Sequence, residues 1–121
     1  MPRYRLTRSA KADLAAILRT SEQRHGREAR IRYAALLLAA MRRVAADPRG
    51  AATADRSELR PGLRSLHLRH SRGESHEARV ARPVHVLYYR AMELGVVEIV
   101  RVLHERMEPS RHVGGGRTST E

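Results

Sequence analysis

The chain is predicted to fold as an α+β domain, with a helical hairpin packed on one face of a largely antiparallel sheet in the order β-α-α-β-β-β. Three observations predict it. Apolar residues recur at helical spacing over two adjacent stretches ahead of Asp47-Pro48, whereas strand-like alternation dominates from LRSLHLRH onward and otherwise appears only in the opening RYRLT. The two helical stretches are separated by too few residues for anything but an antiparallel pair. A length of 121 residues is enough for one hydrophobic core and one domain.

In order along the chain, RYRLT puts Tyr4 and Leu6 on one side of a short strand. Thr7 or Ser9 can cap the first helix, whose apolar face is Ala10, Leu14, Ile17, Leu18 and Ser21, with Asp13 placed near the positive end of its dipole. Gly26 is its natural stop. In the second helix Ile31, Ala34, Leu38, Met41 and Ala45 trace a stripe that Tyr33, Leu37, Ala40 and Val44 widen, and Asp47-Pro48 ends it. Residues 49–62 lose periodicity and read as a loop. LRSLHLRH reads as a strand with Leu66 and Leu68 on one side and His67 and Arg69 on the other, followed by a turn at SRGESHE, with Pro83 confined to an edge or a strand start. VHVLYYR and VVEIVRVLH flank the turn Met92-Glu93-Leu94-Gly95. In the last strand Val97, Ile99, Arg101 and Leu103 are expected on one face and Val96, Glu98, Val100, Val102 and His104 on the other, which makes it a central strand. The tail GGGRTSTE has nothing to bury, so residues 1–113 are taken as the domain and 114–121 as a flexible tail.

Composition narrows the function. The formal net charge is +11, yet Lys11 is the only lysine, and an arginine excess beside abundant alanine and glycine also arises from base composition. The absence of Phe and Trp argues against a single-strand reader built on stacking platforms, and neither helix offers a polar recognition face for DNA. Without cysteine there is no disulfide and no thiolate metal site. His67 and His70 form an HxxH pair, but residues three apart on a strand face opposite ways, so no metal and no cofactor is expected. The sequence has neither an apolar leader nor a run of membrane-spanning length, and a cytoplasmic protein is expected.

The candidate site is where IVRVL gives way to HERMEPSRH. Arg101 interrupts an apolar face, His104 stands at the strand end, and Arg106, Arg111 and His112 lie beyond the strand, where burial does not demand them. With YRLTRSAKADLAAIL, HGREARIRYAALL, DPRG, LRSLHLRHSR, PVHVLYYR and EIVRVLHERMEPSRH in this order, the chain resembles the RelE/ParE superfamily of type II toxins, and its ParE branch most closely. The resemblance implies a toxin associated with plasmid stabilisation, with DNA gyrase as target and no catalytic group of its own, neutralised by the acidic carboxyl-terminal arm of a cognate antitoxin. It assigns target binding to Arg101, His104, Arg106, Arg111 and His112, and the antitoxin groove to Leu14, Leu18, Leu37, Arg69 and Tyr89. Nucleic acid would be met only through the antitoxin or the target. The RelE branch implies the alternative, a ribosome-dependent mRNA endonuclease using Arg64, Arg106 and His112.

Overall fold

A computed structural model describes residues 3–72 and 80–113. Strand β1 (Arg3–Leu6) leads into helices α1 (Arg8–His25) and α2 (Arg27–Ala46), and four further strands follow: β2 (Ala54–Asp55), β3 (Leu63–His67), β4 (His85–Ala91) and β5 (Val96–His104). They form one sheet in the order β1-β5-β4-β3-β2. β1 runs parallel to β5, and every other pairing is antiparallel.

The helix ends follow from local chemistry. The Thr7 side chain accepts the Ala10 N–H at 3.0 Å, satisfying one of the donors an α-helix leaves open at its start, and its own hydroxyl donates to the Val100 carbonyl at 2.8 Å. A single residue, Gly26, joins the helices at φ 93°, a backbone angle that glycine tolerates without a Cβ clash. α2 stops at Ala46, ahead of Asp47-Pro48.

The hairpin covers one face of the sheet. Ala10, Leu36, Leu37, Ala40, Met41 and Val44 meet Leu66, Leu68, Leu87, Tyr89, Val97, Ile99 and Val102 in the main core. Ile31, expected on the buried stripe, is instead 53% exposed. It lies nine residues before Ala40, and at about 100° per residue that places it about 180° around the helix. The other sheet face carries a smaller core of Leu63, Tyr88, Val100, Leu103 and Val113, with Leu59 and Val86 packed against it. Residues from the 56–60 turn and from the end of the described chain therefore close the face that the helices leave open.

Four expectations need correction. The stretch read as a loop contributes β2, which pairs Ala54 with Ser65 and Asp55 with Arg64 at the sheet edge. β3 ends at His67 rather than His70: the His67 Nδ1 accepts the Arg69 N–H at 3.1 Å and caps a 3-10 turn over Leu68–Ser71, although Leu68 stays fully buried. β5 is an interior strand, but the middle of the sheet belongs to β4. Finally, β5 is bulged. Tyr89 pairs with Ile99 and Tyr88 with Arg101, leaving Val100 unmatched, and this extra residue reverses the alternation. Val102 thus joins Val97 and Ile99 in the main core, while Leu103 joins Val100 on the other side.

The β4–β5 connection is the expected one, with Gly95 at φ 73°. Leu94 beside it also has a positive φ, 62°. Of the turn read at SRGESHE, residues 73–79 lie outside the described residues, as does the tail 114–121. Pro83 stands two residues ahead of β4, as expected of a proline at a strand start.

Candidate functional site

Beyond β5 the chain folds into two short turns. The Glu105 N–H donates to the Val84 carbonyl at 2.7 Å, continuing the β4–β5 ladder by one rung, and the Met107 N–H returns to the His104 carbonyl at 2.9 Å. The Glu108 carboxylate then accepts the Ser110 hydroxyl at 2.9 Å and caps a 3-10 turn over Pro109–Arg111. Val113 drops into the smaller core at 1% exposure. The segment HERMEPSRH is thereby held against the sheet with Arg106 and Arg111 exposed and His112 half-buried.

The histidines at this end differ in role. His67 donates Nε2–H to the Glu105 carboxylate at 2.7 Å while its Nδ1 takes the Arg69 N–H, so both ring nitrogens are occupied and the ring is a clamp between β3 and the end of β5. The same contact holds the Glu105 carboxyl below the usual range. His104 accepts the Arg106 N–H on Nδ1 at 3.1 Å, which leaves Nε2–H as its remaining donor. His85, paired with His104 across the ladder, packs edge-on against it with ring centres 5.5 Å apart. Tyr33 of α2 accepts the Val84 N–H at 3.2 Å and gives its own proton to His85 Nδ1 at 2.7 Å. Burial first, and the neighbouring His104 second, push the His85 imidazole down to about 4, so it is neutral near pH 7 and donates only from Nε2. Burial likewise raises the Tyr33 phenol, which stays protonated.

Tyr33, His85 and His104 line a groove of about 880 Å³ between the α1–α2 joint and the β4–β5 end of the sheet. Its apolar surface comes from residues such as Ile17, Val80, Val84 and Met107, and Arg24, Arg32 and Arg82 also line it, beside His25. Among the described residues no carboxylate lines it. A shallower groove of about 550 Å³ on the other sheet face holds Arg56, Arg69, His70 and the His67–Glu105 pair. Burial and the nearby Arg69 and Arg43 lower the His70 pKa.

The residues singled out from sequence are dispersed by this geometry. Arg101 is not at the exposed end: its Nε and Nη2 fork onto the Asp13 carboxylate at 2.7 and 2.9 Å, and its Nη1 donates to the His112 carbonyl at 3.2 Å. Asp13, read as a helix-dipole residue, lies beyond the first turn of α1 and also accepts the Val102 N–H at 2.9 Å, capping the part of the β5 edge that β1 does not reach. Arg64 donates to the Pro48 carbonyl and to Thr53. It pairs with Tyr89, four residues along β4 from His85, or about 13 Å from the end of β5 that carries Arg106, so Arg64 and Arg106 do not converge. Leu14 and Leu18 are partly buried on α1 and Arg69 is exposed, whereas Leu37 and Tyr89 are core residues at 2% and 0% exposure. The Tyr89 hydroxyl is spent on the Pro48 carbonyl at 2.6 Å. Sequence reasoning missed Tyr33 and His85. The available signal was a histidine opening a strand opposite the already suspected His104.

Among the described residues no His, Asp or Glu grouping could hold a metal ion, and no helix is long and apolar enough to cross a membrane. The described residues thus form a helical hairpin on a mixed sheet, followed by a basic turn folded back on the last strand. The chain matches the family described as the ParE toxin of the type II toxin-antitoxin system, parDE, over residues 4–109, and it belongs to that family. Toxin ParE1 of Caulobacter vibrioides is 41% identical over 115 residues, spanning 94% of this chain and 100% of the relative. Toxin ParE1 of Mycobacterium tuberculosis is 35% identical over 111 residues, spanning 92% and 97%. A solved structure described as the chromosomal ParDE TA system from P. aeruginosa shares the fold at a TM-score of 0.56 and 22% identity, with 86% of this chain and 96% of that chain covered.

Proposed function

We propose that this ParE toxin acts in the cytoplasm as an inhibitor of DNA gyrase, that residues 1–113 form the toxin domain, and that a cognate antitoxin neutralises it by laying an acidic, amphipathic arm in the groove beside Tyr33. The observation that carries the antitoxin reading is the composition of that groove: an apolar floor whose charged groups, among the described residues, are the arginines Arg24, Arg32 and Arg82, and whose two ring donors, His85 and His104 Nε2–H, point to an acceptor-rich occupant. Its lining replaces Leu37 and Tyr89 with residues that a partner can reach. That the solved relative is a ParDE system supports a partner of this kind.

The gyrase reading rests on family membership and on the exposed Arg106 and Arg111, held on a folded-back segment where a target can meet them. The separation of Arg64 from Arg106 supports it over mRNA cleavage, because general acid–base chemistry needs its groups within hydrogen-bond reach of one phosphate. The deciding experiment is a supercoiling assay with purified toxin, gyrase and relaxed plasmid, with and without the antitoxin. Inhibition that the antitoxin relieves is expected, and the Arg106→Ala, Arg111→Ala double variant should raise the half-inhibiting concentration at least about tenfold without changing the fold. Full gyrase activity at saturating toxin, with cleaved transcripts in a translation reaction, would sink the reading in favour of the ribosome.

A further inference from the structure

The segment after β5 lies outside the sheet, and its attachment is unusually specific. Val113 seats among Leu63, Tyr88, Val100 and Leu103, but an apolar plug is not directional and does not by itself set where Arg111 points. Direction comes from the His112 carbonyl, which accepts from Arg101 Nη1 at 3.2 Å. Arg101 can offer that N–H only while its guanidinium plane is held, and the plane is held by the two-point fork onto Asp13 at 2.7 and 2.9 Å. The side chains of Arg101 and Asp13 are 23% and 13% exposed, so water competes weakly for either partner. Asp13 is fixed in turn by the Val102 N–H at 2.9 Å. The bulge at Val100 makes this possible by re-aiming the residue that follows it.

We propose that Asp13, on α1, is the positioning residue for the carboxyl-terminal segment: acting through Arg101, it fixes the turn that presents Arg111 and His112. The functional half of this inference rests on the reading of Arg106 and Arg111 as the target-facing groups. The structural half does not.

The test uses full-length toxin carrying Asp13→Asn and, separately, Arg101→Lys. Asn at position 13 keeps an acceptor but loses the charge. Lys at position 101 keeps the charge but cannot fork onto a carboxylate and reach a carbonyl together. The amides of Arg111, His112 and Val113 bond back to Glu108 and Pro109, so hydrogen exchange reports on that turn directly. In both variants these three amides should exchange about tenfold faster or more, in line with loss of a charge-assisted hydrogen bond, while β4 amides keep their protection and gyrase inhibition weakens. A residue that only stabilised the fold would lower β4 protection along with the turn. Wild-type exchange of the three amides in either folded variant overturns the proposal, and Arg101→Lys decides if Asp13→Asn does not fold. Faster exchange with undiminished gyrase inhibition would uphold Asp13 as the positioning residue and overturn the target-facing reading of Arg111.

Discussion

Acidification should destabilise this toxin through His85, and the size of the effect can be worked from its surroundings. The imidazole is enclosed by Tyr33 of α2 and His104 of β5, its burial and then the neighbouring His104 and His67 disfavour a positive charge on it, and the opposing influence of Glu105 and Asp13 is smaller. Its folded value is lowered from 6.5 to about 4. Above pH 6.5 the ring is neutral in both states and the shift has no effect on stability. As the pH falls below 6.5, the unfolded chain takes up a proton that the folded chain refuses until about pH 4, so the unfolded state gains and stability is lost across that window. Between pH 7 and pH 5 the linkage amounts to about 2 kcal/mol from this group alone. Urea unfolding at the two pH values measures it, and His85→Gln, which removes the titration while leaving an acceptor for Tyr33, isolates it from the other histidines. The wild type should lose about 2 kcal/mol more than the variant between pH 7 and pH 5. Equal losses in the two proteins would show that His85 titrates normally and that the Tyr33–His85 contact is not the enclosed hydrogen bond described above.

Two further predictions concern stability. Leu94 is 89% exposed and has a left-handed φ of 62°, so its side chain contributes no burial while its backbone is strained; Leu94→Asn should raise the urea midpoint by an amount equivalent to about 1 kcal/mol, and a lower midpoint would contradict this. Tyr89→Phe removes the 2.6 Å bond to the Pro48 carbonyl, but Arg64 Nε still donates to that oxygen at 3.1 Å, so the loss on urea unfolding should be only about 1 kcal/mol and the loop at Pro48 should stay in place.

Much of the architecture was legible in the sequence because it depends on neighbouring residues. The Thr7 cap, the Gly26 joint, the stop at Asp47-Pro48 and the Gly95 turn each follow from backbone preferences acting over a few positions, and the periods of 3.6 and 2 separate the helical half from the strand half. These local rules, with the motif order, were also enough to point to the superfamily. They were not enough for the site. The parallel docking of β1 on β5, the bulge that moves Val102 and Leu103 to opposite faces, and the assignment of Leu37 and Tyr89 to the core depend on which surfaces meet in three dimensions. Asp13 and Arg101 are 88 positions apart, and Tyr33 and His85 are 52 apart. Periodicity carries no information across such gaps, since it records which face a residue occupies within its own element but not which element that face will meet. The sequence thus determined both helices, the four longer strands, their order and the cationic character of the segment after β5. Only tertiary packing decided which charges are spent inside the molecule, as in Arg101 and Arg64, and which stay exposed among the described residues, as in Arg106 and Arg111, because that depends on which groups the fold brings within hydrogen-bond reach.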